Sequence, residues 1–125
     1  MPAIKSLGYN ITIGKDALKE LSAFLKGAKY SIHIIICDEN TMQFCLPKLI
    51  TSCPVLKDAE IIELESGEAS KSLEFSAHIW QTLIENNADK NSVIINLGGG
   101  VVSDLGGFCA STYKRGIDFI NIPTS

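Results

Sequence analysis

The 125-residue sequence is short of the features that would place it in several large functional classes. Its longest uninterrupted apolar run, residues 34–37, is a fraction of the roughly 18 to 20 residues that a bilayer-spanning helix needs. Basic residues are too few to serve a polyanion. Eleven Lys and Arg against 14 Asp and Glu give a net charge of −3, which leaves no footprint for nucleic acid and no basic amphipathic stretch for a membrane surface. The four cysteines, at 37, 45, 53 and 109, make no C-x-x-C pair, and the two histidines, His33 and His78, lie far apart without ligand spacing. No local metal motif follows from either set. The cysteines read instead as small buried or half-buried hydrophobes of a reducing compartment. The opening MPAIKSLGY lacks the apolar core of a secretory signal, so a cytoplasmic location is expected.

What is present is an ordinary core: 46% apolar and 20% charged residues in a chain long enough for one domain and too short for two. Short β-branched runs alternate with helical patterns, the mark of βαβ units around a mostly parallel sheet. Residues 9–13 alternate like a strand. Leu18, Leu21 and Leu25 then recur at helical spacing up to Gly27, a candidate C-cap. Residues 31–37 form an isoleucine-rich strand expected to be buried on both faces. Residues 41–50 favour a short helix, provided Pro47 lies near its start. Residues 60–64 read as a third strand. A helix opened by Ser70 or Ser72 follows, with Leu73, Ala77, Trp80 and Ile84 on one face. Residues 92–97 are a fourth strand, 101–113 a helix and 118–122 a fifth strand. A chain that stops just after an apolar strand, with no closing helix, is expected to be an N-terminal piece of something larger.

Chemistry in a parallel sheet collects at the strand carboxyl ends. Gly98, Gly99 and Gly100 stand between a strand and a helix, where glycines let backbone amides approach a diphosphate; equally, they could serve close packing. Asp104 follows one helical turn on, facing the same mouth or stabilising the first turn. The loop at 66–71 sets Glu68 and Lys71 three residues apart beside Gly67, a ligand pair or a solvated salt bridge. Asp38 and Asn40 follow the second strand, suited to an adenosine ribose hydroxyl or to capping a helix. Arg115, beside a helix end, offers a planar fork for phosphate or carboxylate, or is a surface residue.

The stretch GGGVVSDLGGFCASTYKRGIDFINIPTS at 98–125 resembles the signature of the 3-dehydroquinate synthases, and SGEASKSL at 66–73 resembles their upstream nucleotide loop. Ser103 stands where that family usually has glycine, and Gly106 where it usually has alanine. The resemblance implies a Rossmann-like α/β fold with a mostly parallel sheet, the N-terminal half of a two-domain enzyme, with residues 1–125 as its NAD-binding domain. It implies conversion of 3-deoxy-D-arabino-heptulosonate 7-phosphate to 3-dehydroquinate and phosphate in the shikimate pathway. NAD would take a hydride transiently and return it, and a divalent metal, zinc or cobalt, would be held by residues outside this chain.

By the same resemblance Asp38 and Asn40 would meet the adenosine end of NAD. Glu68 and Lys71, with Ser66 and Gly67 of their loop, would meet the ribose and nicotinamide region. Gly99, Gly100 and Val101 would take the diphosphate, Asp104 the nicotinamide side, and Thr124 and Ser125 would line the site. Arg115 would contact substrate phosphate in the partner subunit of a homodimer. No catalytic or metal-ligating residue falls in this stretch, so the chain alone is expected to be inactive. Other sugar-phosphate cyclases, iron-type polyol or glycerol-1-phosphate dehydrogenases, and a non-catalytic nucleotide-binding module are the alternatives.

Overall fold

A computed structural model describes residues 15–64 and 72–122. Helix α1 (Lys15–Ala28) leads to strand β1 (His33–Asp38), then to α2 (Glu39–Phe44), α3 (Leu46–Ser52), a short 3-10 turn and β2 (Glu60–Leu64). Helix α4 (Ser72–Glu85), β3 (Val93–Leu97), α5 (Gly100–Thr112), a second 3-10 turn and β4 (Asp118–Ile122) complete the described chain. The four strands form one parallel sheet in the order β2-β1-β3-β4. The expected strand at 9–13 lies outside the described residues.

The residue types explain the layering. Isoleucines on β1 and β3 point alternately to opposite faces, as a strand's two-residue period requires. Ile35, Cys37, Val93, Ile95 and Leu97 pack with Leu18, Leu21 and Leu25 of α1 and with Leu49, Cys53 and Leu56 on one face. Ile34, Ile36 and Ile94 pack on the other face with Ile79 and Leu83 of α4 and Val102, Leu105 and Cys109 of α5. Every residue of β3 is buried. Each large aliphatic side chain removed from water contributes roughly 1.5 to 3 kcal/mol, so both helix layers are needed to keep so apolar a sheet covered. All four cysteines are free, and three are fully buried, as expected of small hydrophobes.

Two local expectations change, and a third acquires a direction. Gly27 lies inside α1, and the left-handed position at its end is taken by Lys29, with φ 54°. The pattern at 41–50 splits at Cys45 into α2 and α3, because Pro47 sits at the start of α3, where its missing N–H costs nothing. The stripe of Leu73, Ala77, Trp80 and Ile84 faces outward: Leu73 is 79% and Ile84 57% exposed, while Ser76, Ile79 and Leu83 face the sheet. The four share one face as their spacing requires, and the structure shows that face to be the outer one, with Trp80 partly buried at its margin. Phe108 of α5, itself 52% exposed, packs its ring against Trp80 at 5.8 Å on the same outer surface.

Candidate functional site: the crevice between β1 and β3

The strand order reverses direction between β1 and β3, and in open parallel sheets that switch point opens a crevice at the carboxyl edge. The ends of these two strands carry Asp38 and the three glycines. Gly98 has φ +151°, and its N–H donates to the Ile122 carbonyl at 3.1 Å. A Cβ there would lie 3.2 Å from Val102 Cγ2 and 3.6 Å from Asp38 Oδ2. Gly98 therefore answers to the fold, chiefly through its positive φ and secondarily through the tight approach of Val102. Gly99 and Gly100 are different, since a Cβ on either would meet nothing within 4 Å among the described residues. Their missing side chains leave open ground at the N-terminus of α5.

Gly99 is the N-cap of α5 and offers no side chain to the first-turn amides. Those amides, with the positive end of a 13-residue helix behind them, suit an anionic oxygen. That donor set fits a diphosphate. Val101, in the same first turn, is 42% exposed, and Asp104 is exposed one turn further on. Ser103 turns its hydroxyl back onto the carbonyls of Gly99 (3.3 Å) and Gly100 (3.2 Å), so it tightens the turn.

Asp38 fulfils one reading and leaves room for the other. Its Oδ1 accepts the Thr41 N–H at 2.8 Å while Thr41 Oγ1 accepts the Asp38 N–H at 3.0 Å, a reciprocal cap on α2. Its Oδ2 faces Gly98 across the crevice. Asn40 is exposed in the first turn of α2. Ser66, Gly67, Glu68, Lys71, Thr124 and Ser125 lie outside the described residues.

Arg115 corrects the expectation that all these loops share one sheet edge. Helix α5 runs antiparallel to the strands, so its end returns to their amino-terminal edge, about 20 Å from the glycine turn at 1.5 Å per residue. Arg115 is exposed there, just ahead of β4. It and Lys114 hold φ of 68° and 46°, a left-handed conformation that costs a non-glycine residue about 1 kcal/mol or more.

A family model described as 3-dehydroquinate synthase N-terminal matches residues 61–125. The chain belongs to the 3-dehydroquinate synthase N-terminal family. A 3-dehydroquinate synthase of Parabacteroides distasonis is 42% identical over 115 residues, covering 92% of this chain and 32% of that protein. The chain thus spans about a third of the length of the curated relatives it matches. Among solved structures, a 2-deoxy-scyllo-inosose synthase superposes with a TM-score of 0.77 at 21% identity, covering 91% of this chain and 32% of that one. A 2-deoxy-scyllo-inosose synthase complexed with carbaglucose-6-phosphate, NAD+ and Co2+ gives 0.73 at 22% identity, covering 91% of this chain and 31% of that one. These similarities establish the fold, with helices on both sides of a parallel sheet.

Against the 3-dehydroquinate synthase pattern, Gly106 in place of alanine acquires a local cause. A Cβ at Gly106 would collide with Oδ1, Cγ and Nδ2 of Asn96, a fully buried residue of β3. Asn96 was not singled out by motif reasoning, although a lone asparagine within VIINL was a readable signal. Among the described residues no three His, Cys, Asp or Glu side chains gather as a metal-binding group. They do not fit a divalent metal.

Two cavities open on the opposite edge of the sheet. One, of about 430 Å³, is lined by Ser31, His33, Asp58, Glu60 and Asn86, and another, of about 340 Å³, by Asn87, Asp89, Tyr113 and Lys114. Neither touches the glycine turn. Among the described residues His33 Nε2 is buried without a hydrogen-bond partner, and the Tyr30 ring stands edge-on at 6.1 Å; Tyr30 itself donates to Asp118 Oδ2 at 2.7 Å. Burial lowers the His33 pKa. A base whose folded pKa is depressed binds its proton more readily when unfolded. Stability from this site is therefore complete above the ordinary value near 6.5 and falls as pH drops below it. The loss of urea midpoint between pH about 7 and 5 is expected to shrink in His33→Phe relative to the parent. An unchanged pH slope would show that His33 does not contribute.

Proposed function

We propose that residues 1–125 are the NAD-binding domain of a cytoplasmic 3-dehydroquinate synthase, which converts 3-deoxy-D-arabino-heptulosonate 7-phosphate to 3-dehydroquinate and phosphate. The observation that carries the reading is the uncapped N-terminus of α5 at the switch point, with open ground over Gly99 and Gly100. The amides of Gly100 and Val101 receive the diphosphate. Asp38 and Asn40, across the crevice, take the adenosine ribose. Asp104 sits toward the nicotinamide, and Ser66, Gly67, Glu68, Lys71, Thr124 and Ser125 complete the envelope. NAD, when bound, supplies a transient hydride acceptor.

Arg115 is assigned to substrate phosphate in the neighbouring subunit of a homodimer. Its placement at the far end of α5 removes it from its own turn, and its left-handed backbone supports a functional reason for the cost. The zinc or cobalt ion of the family belongs to groups other than the described residues, and no step is derived through it.

The deciding assay uses the full gene product with NAD, a divalent metal and the seven-carbon sugar phosphate. Phosphate release without net NADH accumulation supports a synthase. NADH accumulation from a polyol or glycerol 1-phosphate, with no phosphate released, would move the chain to the dehydrogenases. Binding of NAD with neither reaction would leave a nucleotide-binding module.

A further inference from the structure

We infer that Asn96 and Asn121 form a side-chain rung that positions the glycine turn, and that Asn96 is a positioning residue for nucleotide binding; this rests on the reading of the turn as the NAD site. Asn96 and Asn121 are register partners on β3 and β4. Asn96 Nδ2 donates to Asn121 Oδ1 at 2.9 Å. The carboxamide oxygen, Asn96 Oδ1, is buried without a hydrogen-bond partner among the described residues and lies against Gly106, where a side chain would otherwise be. One residue further along the strands stand the partners Leu97 and Ile122. Beyond them, the Gly98 N–H closes onto the Ile122 carbonyl.

Asn96 thus touches the three elements that frame the turn: it belongs to β3, it bonds β4, and it sets the approach of α5 through Gly106. A buried amide with one unsatisfied oxygen is a poor choice for stability alone, because an aliphatic residue would fill a fully apolar strand at lower cost. Its directional bond does what an aliphatic contact cannot. It fixes how far β4 advances relative to β3, and so where the bond from Gly98 to Ile122 falls. It also fixes the height of the α5 amides above the sheet. A slip of one residue would turn Asn121 to the other face and break the rung.

Two measurements on the full gene product test this. In Asn121→Ala, exchange of the Gly98 amide is expected to quicken about ten-fold, and NAD dissociation constants from calorimetry are expected to rise about five-fold. Asn96→Ala combined with Gly106→Ala refills the lost volume without restoring the rung. The melting temperature is expected to return close to that of the parent while NAD binding stays about five-fold weak. Recovery of both in the double variant would reduce Asn96 to packing and overturn the proposal. So would an unchanged Gly98 exchange rate in Asn121→Ala. A parent protein that binds no NAD would instead overturn the reading of the turn, and Gly98 exchange, which needs no ligand, would then decide the rung by itself.

Discussion

Gly100→Asp is expected to weaken NAD binding to the full gene product by about 100-fold or more while leaving the melting temperature unchanged or slightly raised. The two halves of this result come from different properties of one position. For the fold, Gly100 is dispensable: it begins α5, and an added Cβ meets nothing within 4 Å among the described residues. Any other residue there recovers some of the roughly 0.5 to 1 kcal/mol that glycine costs in a helix. A carboxylate in the first turn adds about 0.3 to 1 kcal/mol through the helix dipole. For the ligand, the same carboxylate occupies the ground reserved for a phosphate and repels it. Two unit charges about 4 Å apart cost about 4 kcal/mol at an effective dielectric constant near 20, more than the 2.7 or so that a 100-fold loss represents. Gly100→Ala separates the effects, since it removes space without adding charge, and about ten-fold weakening is expected. Calorimetric titration with NAD and thermal unfolding of the three proteins make the comparison. Undiminished NAD binding by Gly100→Asp would place the diphosphate elsewhere.

The contrast between Gly98 and Gly100 also shows where a sequence stops being legible. Three consecutive glycines between a strand and a helix announce a turn at which a backbone can be approached closely. They do not say which glycine answers to the fold and which to a ligand, because that depends on the positive φ of Gly98 and on Val102 coming within reach of it alone among the three. Strands fared best, since their signal is local: β2 and β4 run over 60–64 and 118–122 as the apolar patterns require. Parallel pairing followed from alternation of strand and helix, whereas the strand order that opens the β1/β3 crevice is visible only in the structure.

The helix faces were harder. In α4 the residues Leu73, Trp80 and Ile84 are as apolar as Ile79 and Leu83, and periodicity cannot tell two apolar stripes apart when a helix carries both. Arg115 was misplaced along the sheet for a related reason. Its neighbours in sequence suggest one loop, whereas the direction of α5 carries it to the opposite edge. The Asn96 rung was hidden because its meaning lies in residues 10 and 25 positions away, and spacing of that kind has no local pattern.

Gly106→Ala is expected to destabilise the protein by about 3 kcal/mol, lowering the melting temperature by roughly 10 °C, against every local rule. Alanine at this position is what the family pattern supplies, and within a helix it is favoured over glycine by about 1 kcal/mol. Here the new methyl group would enter the space held by the Asn96 carboxamide. That group cannot step aside into solvent, because Asn96 is completely buried and tied to Asn121. Moving it breaks a hydrogen bond and leaves buried amide atoms unpaired, at about 1 to 3 kcal/mol, and overpacking between α5 and β3 adds a similar amount. Together these exceed the gain in helix propensity. The collision is specific to one partner, so Asn96→Ala in the same chain should recover most of the loss, with a coupling of about 2 kcal/mol in a double-mutant cycle. Urea unfolding of the parent, both single variants and the double variant measures it. A Gly106→Ala protein as stable as its parent, or additive behaviour of the two substitutions, would show that the helix shifts away from the sheet at little cost. Asn96 would then be free to leave the position that makes the glycine necessary.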